Sequence, residues 1–151
     1  MESLTVSGRL TSLEAIAHYV LNAAAQAGLN RKATYRLRLA VDELVTNIIT
    51  HGYAEAQQQG DISLHAKIDE RSLRLSIEDT GIFYDPTQTE TQTDRHLPPE
   101  QRNIGGWGVY LTQWGIDELK YERDRGRNRN ILVVHRHSNG FESLCDRDWA
   151  V

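Results

Sequence analysis

Two neighbouring segments alternate between apolar and polar residues, and this pattern constrains the fold more than any other feature of the sequence. Every second residue is apolar between positions 61 and 68, and the alternation resumes from Leu73 to Ile77. Period-two alternation is typical of a strand with one buried face, and Asp69-Glu70-Arg71 predicts a turn between the two. The sequence therefore predicts an antiparallel hairpin whose apolar face must be covered by other elements.

Two helices are predicted before this hairpin. Thr11-Ser12-Leu13-Glu14 matches a capping box, which favours a helix start there, and Gly28 is the expected stop of that helix. Asn30 is predicted to cap a second helix that runs to about His51 and is ended by Gly52.

The remaining predicted elements complete an α+β domain. They are a short first strand at 4–6, a third helix from the glycine-rich turn at Gly105 to about Gly115, and two strands at 119–121 and 131–134 around a turn at Gly126. The order β-α-α-β-β-loop-α-β-β predicts a two-layer α/β sandwich, with a mostly antiparallel mixed sheet and about three helices on one face. We expect one domain over residues 1–151, ending in a polar tail at 138–151.

Charge and cysteine content exclude several classes of protein. Lys and Arg number 17 against 21 Asp and Glu, whereas a compact nucleic-acid binder is usually basic. No apolar run approaches the ~20 residues that span a membrane, and no signal peptide is expected. Cys145 is the one cysteine, which excludes an intramolecular disulfide and a multi-cysteine zinc site and fits a cytoplasmic setting.

The second predicted helix carries the first candidate for chemistry. Glu43 and Asn47 are four residues apart, so they lie side by side on the flank of an apolar stripe. A carboxylate and an amide oxygen suit Mg²⁺, and the carboxylate is alternatively a base for a nucleophile. An ordinary solvated helix flank explains the same spacing.

Asp79-Thr80-Gly81 is the second candidate. Asp79 follows Leu73, Leu75 and Ile77 on the buried face of a strand. A buried carboxylate requires a donor, and the exocyclic amino group of a base is one candidate. An Asx-turn, in which the Asp79 side chain caps the backbone of Gly81, is the other interpretation.

The third candidate is the glycine-rich turn at 104–111. Its glycines expose backbone N–H groups at a predicted helix start, which favours phosphate. A flexible glycine linker is the alternative, because the turn lacks the Lys-Ser/Thr of a P-loop. Taken together, the three candidates form a set suited to an adenine nucleotide.

These motifs resemble those of the GHKL ATPases. The segment from Glu43 to Tyr53 resembles their N-box, Glu78-Asp79-Thr80-Gly81 resembles the G1 box, and Gly105 to Leu111 resembles the G2 box. Within the superfamily, Glu-x-x-Thr-Asn followed by His-Gly-Tyr resembles the anti-sigma-factor serine kinases of bacteria. The resemblance covers roughly residues 4–136, and it implies the Bergerat ATP-binding fold.

The resemblance implies a role for each matching residue. Glu43 is expected to be the catalytic base or positioner of the attacking hydroxyl, and Asn47 to hold Mg²⁺ against the triphosphate. Asp79 is expected to accept from the adenine amino group, with Gly81 allowing close approach. Residues 84–104 are expected to form the ATP lid. The expected contacts in the glycine turn are Ile104, Gly105, Gly106, Trp107, Gly108 and Val109.

The resemblance also implies a partner-switching function. The expected reaction transfers the γ-phosphoryl of ATP to a serine of a small STAS-domain antagonist, and the competing act silences a sigma factor or similar regulator. A homodimer is expected by resemblance only. The alternatives are a non-catalytic ATP- or ADP-binding regulatory module and a stand-alone histidine-kinase-type catalytic domain.

The sequence departs from the family pattern in three places. Ile82 and Phe83 follow Gly81, where many members carry a second glycine, and Trp107 is bulky for a glycine turn. Many relatives carry a threonine near the last strand that contacts the base region. We interpret Val133 as the residue that takes its place.

Overall fold

The structure, a computed structural model, describes residues 1–85 and 116–136. Within them a five-stranded sheet in the order β1-β2-β3-β5-β4 is covered on one face by two helices. The elements are β1 (Leu4–Ser7), α1 (Leu13–Gln26), α2 (Arg31–Asn47), β2 (Asp61–Ile68), β3 (Ser72–Asp79), β4 (Glu118–Asp124) and β5 (Arg127–His135). The four strand pairings are antiparallel. The third helix at 105–115, the lid beyond residue 85 and the tail at 138–151 lie outside the described residues.

The predicted hairpin is confirmed residue by residue. Leu64 lies opposite Ile77, and Ile62 lies opposite Asp79, so the apolar sets of β2 and β3 share one buried face. The turn is closed by Asp69, whose carboxylate accepts from the backbone N–H groups of Arg71 and Ser72 at 2.7 and 2.8 Å. These two bonds hold the pKa of Asp69 below its ordinary value, because they stabilise the charged form.

The expected start of α1 is wrong in its detail. A short 3₁₀ turn, Leu10–Ser12, precedes the helix, and the N-cap residue Ser12 makes no side-chain cap bond. Its hydroxyl instead donates to the carbonyl of Ser7 at 2.7 Å, so it ties the helix to the end of β1. The Asn30 cap of α2 is confirmed, with its side-chain oxygen accepting from the N–H of Ala33 at 2.8 Å.

The end of α2 also differs from the prediction. The chain passes through Gly52 and continues as a π-helical segment, Ile48–Ala54, hereafter the π segment. Its wider winding is seen in the N–H of Glu55, which donates to the carbonyl of Thr50 at 2.9 Å. Gly52 therefore does not end the helix; it is buried within the π segment, and its carbonyl accepts from the N–H of Ile82 at 3.2 Å.

The apolar stripe of α2 packs on the sheet as predicted. Its four members are at most 5% exposed: Leu37, Val41, Leu44 and Ile48. Toward one end of the sheet, however, the buried face changes from apolar to polar, at Asp79 on β3 and at Asn128 and Asn130 on β5. Buried polar side chains require partners, so this end is where a functional site is expected.

Candidate functional site

Asp79 ends β3 on the buried face and is 4% exposed. The N–H of Gly81 and the side-chain nitrogen of Asn128 each donate to its Oδ1 at 2.9 Å. The Asx-turn interpretation is therefore correct for Oδ1. Within the described residues no hydrogen bond is made to Oδ2.

Burial raises the pKa of Asp79, because a carboxylate loses its hydration in the protein interior. The hydrogen bonds from Asn128 and Gly81, and the charge of Arg123, oppose this shift. A carboxylate that is buried and yet supplied with donors is characteristic of a binding position.

Gly81 joins this carboxylate to the end of α2. A Cβ on Gly81 would lie 2.8 Å from the carbonyl oxygen of Gly52, and the N–H of Ile82 donates to that same oxygen at 3.2 Å. The close approach is thus to backbone, which cannot move aside as a flexible side chain can. The loop after β3 is consequently fixed against the π segment.

Tyr53 also fixes the loop after β3. The motif resemblance does not reveal this role. Its ring is 2% exposed and lies against Gly8 and Gly60, where an added Cβ would come within 2.6 and 2.8 Å of ring carbons. Its hydroxyl donates to the carbonyl of Asp61 at 2.7 Å and accepts from the N–H of Thr80 at 2.8 Å. One side chain therefore joins the start of β2 to the residue between Asp79 and Gly81.

Glu43 and Asn47 lie one turn apart near the end of α2, as predicted. Asn47 is 3% exposed, and among the described residues its side-chain nitrogen has no hydrogen-bond partner. Glu43 is half-buried, and in the same part of the chain it forms no ion pair. Beside it, burial raises the pKa of Asp42 against the opposing charge of Arg38. A buried amide with an unmet polar atom costs stability, so an ordinary solvated flank does not explain Asn47.

The side chains of Glu43 and Asn47 have the chemistry of Mg²⁺ ligands. They offer a carboxylate and an amide oxygen, which are hard ligands of the kind that Mg²⁺ takes alongside phosphate oxygens and water. Among residues 1–85 and 116–136, no group of three or more His, Cys, Asp or Glu could hold a metal without such help. His51 pairs through Nδ1 with Glu55 at 2.8 Å along the π segment.

Val133 is not the neighbour of the base region. It pairs with Arg74 and Glu118 on the outer face of the sheet, five residues along β5 from the position opposite Asp79, or roughly 17 Å at 3.3 Å per residue. That position is Asn128. Val133 was assigned wrongly because the sequence alone does not show which residue of β5 lies opposite Asp79; the register of the two strands decides that.

Asn128 is the functional candidate that motif reasoning missed. The sequence contains a signal for it. Residues 128, 130, 132 and 134 lie on the same face of β5, and the first two are asparagines where the other two, Leu132 and Val134, are apolar. Asn130 is 2% exposed, and its side-chain oxygen has no partner within the described part of the chain.

An exposed aromatic shelf borders Asp79. Phe83 is 62% exposed and meets the ring of Tyr121 edge to face, with centroids 5.8 Å apart. The guanidinium of Arg123 lies 5.5 Å from the centre of the Phe83 ring, which is within reach of a cation–π contact. Ile82 is 43% exposed beside it. Ile82 and Phe83 of this shelf follow Gly81, where many family members carry a second glycine.

The glycine turn is not described by the structure. Ile104, Gly105, Gly106, Trp107, Gly108 and Val109 lie outside residues 1–85 and 116–136, and their predicted phosphate contacts stay a prediction. Over the residues that are described, no helix is both long and apolar enough to cross a membrane.

Comparison with known proteins places these features in a family. The family model for the histidine kinase-like ATPase domain matches residues 6–135. The serine-protein kinase RsbW of Listeria monocytogenes is 30% identical over 107 residues, which cover 68% of this chain and 67% of that protein. The serine/threonine-protein kinase BtrW of Bordetella bronchiseptica is 31% identical over 106 residues, which cover 67% of this chain and 70% of that protein.

A solved structure supports the fold. The RsbU and RsbW domains of a Mycobacterium tuberculosis protein superpose with a TM-score of 0.61 at 16% identity, over 95% of this chain and 35% of that one. The antiparallel sheet with helices on one face is thereby confirmed as the fold. The chain belongs to the histidine kinase-like ATPase domain family of the GHKL superfamily, alongside serine-protein kinases of the RsbW type.

Proposed function

We propose that this protein binds ATP and transfers its γ-phosphoryl group to a serine of a small STAS-domain antagonist, and that it silences a sigma factor or similar regulator by partner switching. The observation that carries the proposal is the buried, half-satisfied carboxylate of Asp79 in the same fold as the Glu43–Asn47 pair. The names of the relatives, which are serine-protein kinases, support the choice of serine.

Base recognition is assigned to Asp79 and Gly81. The free oxygen of Asp79 accepts from the exocyclic amino group of adenine, while Gly81 keeps the loop low against the π segment. The glycine turn at 104–109 contributes backbone N–H groups to the phosphates, and residues 84–104 close over the nucleotide as a lid.

Catalysis is assigned to Glu43 and metal binding to Asn47. Asn47 would hold Mg²⁺, and the ion would neutralise part of the charge on the triphosphate. The serine Oγ of the antagonist attacks the γ-phosphorus, its proton passes to the Glu43 carboxylate, and the bond from the γ-phosphorus to the bridging oxygen breaks to release ADP. Positioning and charge supply most of the rate in such a transfer.

The remaining assignments follow the family. The protein acts in the cytoplasm through protein partners, as a homodimer, without direct contact to nucleic acid or membrane. An acidic balance of 21 carboxylates against 17 basic side chains supports protein rather than nucleic-acid partners.

Incubation with Mg²⁺-ATP and a purified STAS-domain antagonist protein tests the proposal. Mass spectrometry is expected to find one phosphoserine on the antagonist. Glu43→Gln keeps the shape of the side chain and removes its basicity, so phosphorylation is expected to fall by roughly 100-fold or more while ATP binding persists. Asp42→Asn, one residue away, is the matched control and is expected to keep activity.

The alternative of a non-catalytic nucleotide switch is separated by the same experiment. If ATP binds, no phosphoserine forms, and Glu43→Gln leaves regulation intact, the kinase half of the proposal is wrong and the switch is right. Phosphorylation of a histidine of this chain would instead support a histidine-kinase-type domain.

A further inference from the structure

Asn128 lies at the centre of a hydrogen-bond network that spans three strands. Its side-chain nitrogen, buried on β5, donates to Oδ1 of Asp79 at 2.9 Å. The same nitrogen lies 3.2 Å from the carbonyl of Gly81 and 3.0 Å from that of Ile82. A single amide group therefore holds both the base-reading carboxylate and the loop that follows it.

The other end of the amide is fixed by β4. The Tyr121 hydroxyl and the Arg123 guanidinium both donate to Oδ1 of Asn128, the latter at 3.0 Å. Burial raises the pKa of Tyr121, against the opposing effect of Arg123, so the hydroxyl keeps its proton at neutral pH. An arginine offers donors only.

These donors decide which way the amide points. If the Asn128 amide were reversed, its NH₂ would face the guanidinium of Arg123, which can only donate, and its oxygen would face the Asp79 carboxylate and two carbonyls. Those four contacts would then be donor to donor or acceptor to acceptor, and the contact with the Tyr121 hydroxyl would survive only if that hydroxyl turned to accept. The network thus favours the orientation that presents N–H groups to Asp79.

We propose that Asn128 is a positioning residue for nucleotide selection, held in its donating orientation by Tyr121 and Arg123, and that it occupies one oxygen of Asp79 so that the other reads the base. The proposal rests on the proposed function, because it assumes that the ligand of Asp79 is adenine. Its immediate consequence does not depend on any ligand: Asn128 fixes the carboxylate, and its hydrogen bond favours the charged form of Asp79.

The network gives discrimination between purines a physical basis. Adenine presents an amino donor where guanine presents a carbonyl acceptor. A charged Asp79 accepts from the first and repels the second. Once Asn128 no longer donates to Asp79, the carboxyl group rotates and takes up a proton more readily, and as a donor it tolerates guanine.

Two variants and one control test the network. Asn128→Asp keeps the size of the side chain and replaces its donors by a carboxylate, and Tyr121→Phe removes one of the two donors that orient the amide. Tyr35→Phe is the matched control, since Tyr35 is 66% exposed on α2, far from the site. Circular dichroism checks that each variant folds.

Titration of the Asp79 carboxyl carbon by NMR, without nucleotide, is the first measurement. Tyr121 and Arg123 of β4 are the titratable and charged side chains among the described residues that face Asp79 through this network, with Asp85 acting on Tyr121. We expect its midpoint to move to higher pH in Tyr121→Phe, and further in Asn128→Asp. An unchanged midpoint in folded Tyr121→Phe and Asn128→Asp would overturn the proposal, and Tyr121→Phe alone decides if Asn128→Asp does not fold.

Binding of ATP and GTP to the Mg²⁺-loaded protein is the second measurement. Loss of a hydrogen bond to a charged group predicts that Asn128→Asp raises the Kd for ATP roughly tenfold or more, and that Tyr121→Phe raises it roughly threefold. The preference for ATP over GTP narrows in both, while Tyr35→Phe is unchanged. Weaker binding of both nucleotides by the same factor would show a merely structural role and refute selection. No ATP binding by the wild type would refute the proposed function instead, whatever the titration shows.

Discussion

Tyr53→Phe isolates the contribution of one hydroxyl to the candidate site. The substitution keeps the buried ring, so it leaves no cavity, but it removes the bonds to the Asp61 carbonyl at 2.7 Å and from the Thr80 N–H at 2.8 Å. At about 1 kcal/mol per bond the free energy of unfolding falls by about 2 kcal/mol. With a urea slope of about 2 kcal/mol/M, the midpoint falls by about 1 M.

The chain contains a matched control for this change. The hydroxyl of Tyr19 likewise donates to one carbonyl, that of Glu2 at 2.9 Å, and accepts from one strand N–H, that of Ala66 at 2.9 Å. Tyr19 joins α1 to the middle of β2, away from Asp79. Tyr19→Phe is therefore expected to lose a similar amount of stability by the same mechanism.

Tyr53→Phe and Tyr19→Phe are expected to differ in their affinity for ATP. Thr80 lies between Asp79 and Gly81, so the loss of its anchor loosens the loop that carries the base contact. We expect the Kd for ATP to rise about tenfold in Tyr53→Phe, equivalent to about 1.4 kcal/mol, and to stay unchanged in Tyr19→Phe.

Two assays decide this prediction. Urea unfolding followed by tryptophan fluorescence gives the stabilities, and titration calorimetry gives the affinities. Equal loss of ATP affinity in both variants would show that the effect comes from global stability and would refute the positioning role of Tyr53. Amide hydrogen exchange at Gly81 and Ile82, faster in Tyr53→Phe alone, tests the loosening without nucleotide.

Three further predictions follow from the same contacts. Asn47→Leu removes a buried, unpartnered amide nitrogen, so urea unfolding is expected to show a gain of about 1 kcal/mol while Mg²⁺-dependent ATP binding is lost; a stability loss would contradict this. Gly81→Ala drives a Cβ to 2.8 Å from backbone, so hydrogen exchange should quicken after β3 and ATP affinity should fall, and unaltered exchange would count against the contact. As pH rises from about 4 through the raised pKa of Asp79, the wild type should lose stability relative to Asp79→Asn. As pH falls below about 4 through the lowered pKa of Asp69, it should lose stability relative to Asp69→Asn. Urea midpoints from pH 3 to 7 measure both differences, and slopes of the same sign against pH would refute the assignment.

Local patterns in the sequence predicted those parts of the fold that depend on nearby residues. The alternation of 61–68 determined which face of β2 is buried, because successive side chains of a strand point to opposite sides. The Asn30 cap and the stripe from Leu37 to Ile48 were equally readable, since both rest on contacts within four residues. The placement of Asp79 on the buried face followed from the same rule.

Local patterns failed where the helix ends were decided by distant contacts. The Thr11–Glu14 motif predicted a capping box, yet Ser12 bonds to the end of β1. Gly52 predicted a helix stop, yet the chain continues through it as the π segment, where the Gly52 carbonyl accepts from the N–H of Ile82, 30 positions later. Both errors arise because a helix end takes whichever partner the folded structure brings nearest.

The sequence by itself thus determined the type and order of the elements that the structure describes, the family, and the identity of Glu43, Asn47 and Asp79 as candidates. Only the tertiary structure decided what surrounds Asp79. Asn128 is 49 residues away along the chain and meets it because β3 and β5 pair in one particular register. A shift of one residue in that register would turn Asn128 to the outer face. A hydrogen bond forms only within a narrow range of distances, and the distance between Asp79 and Asn128 is fixed by the pairing of two strands and not by their separation along the chain.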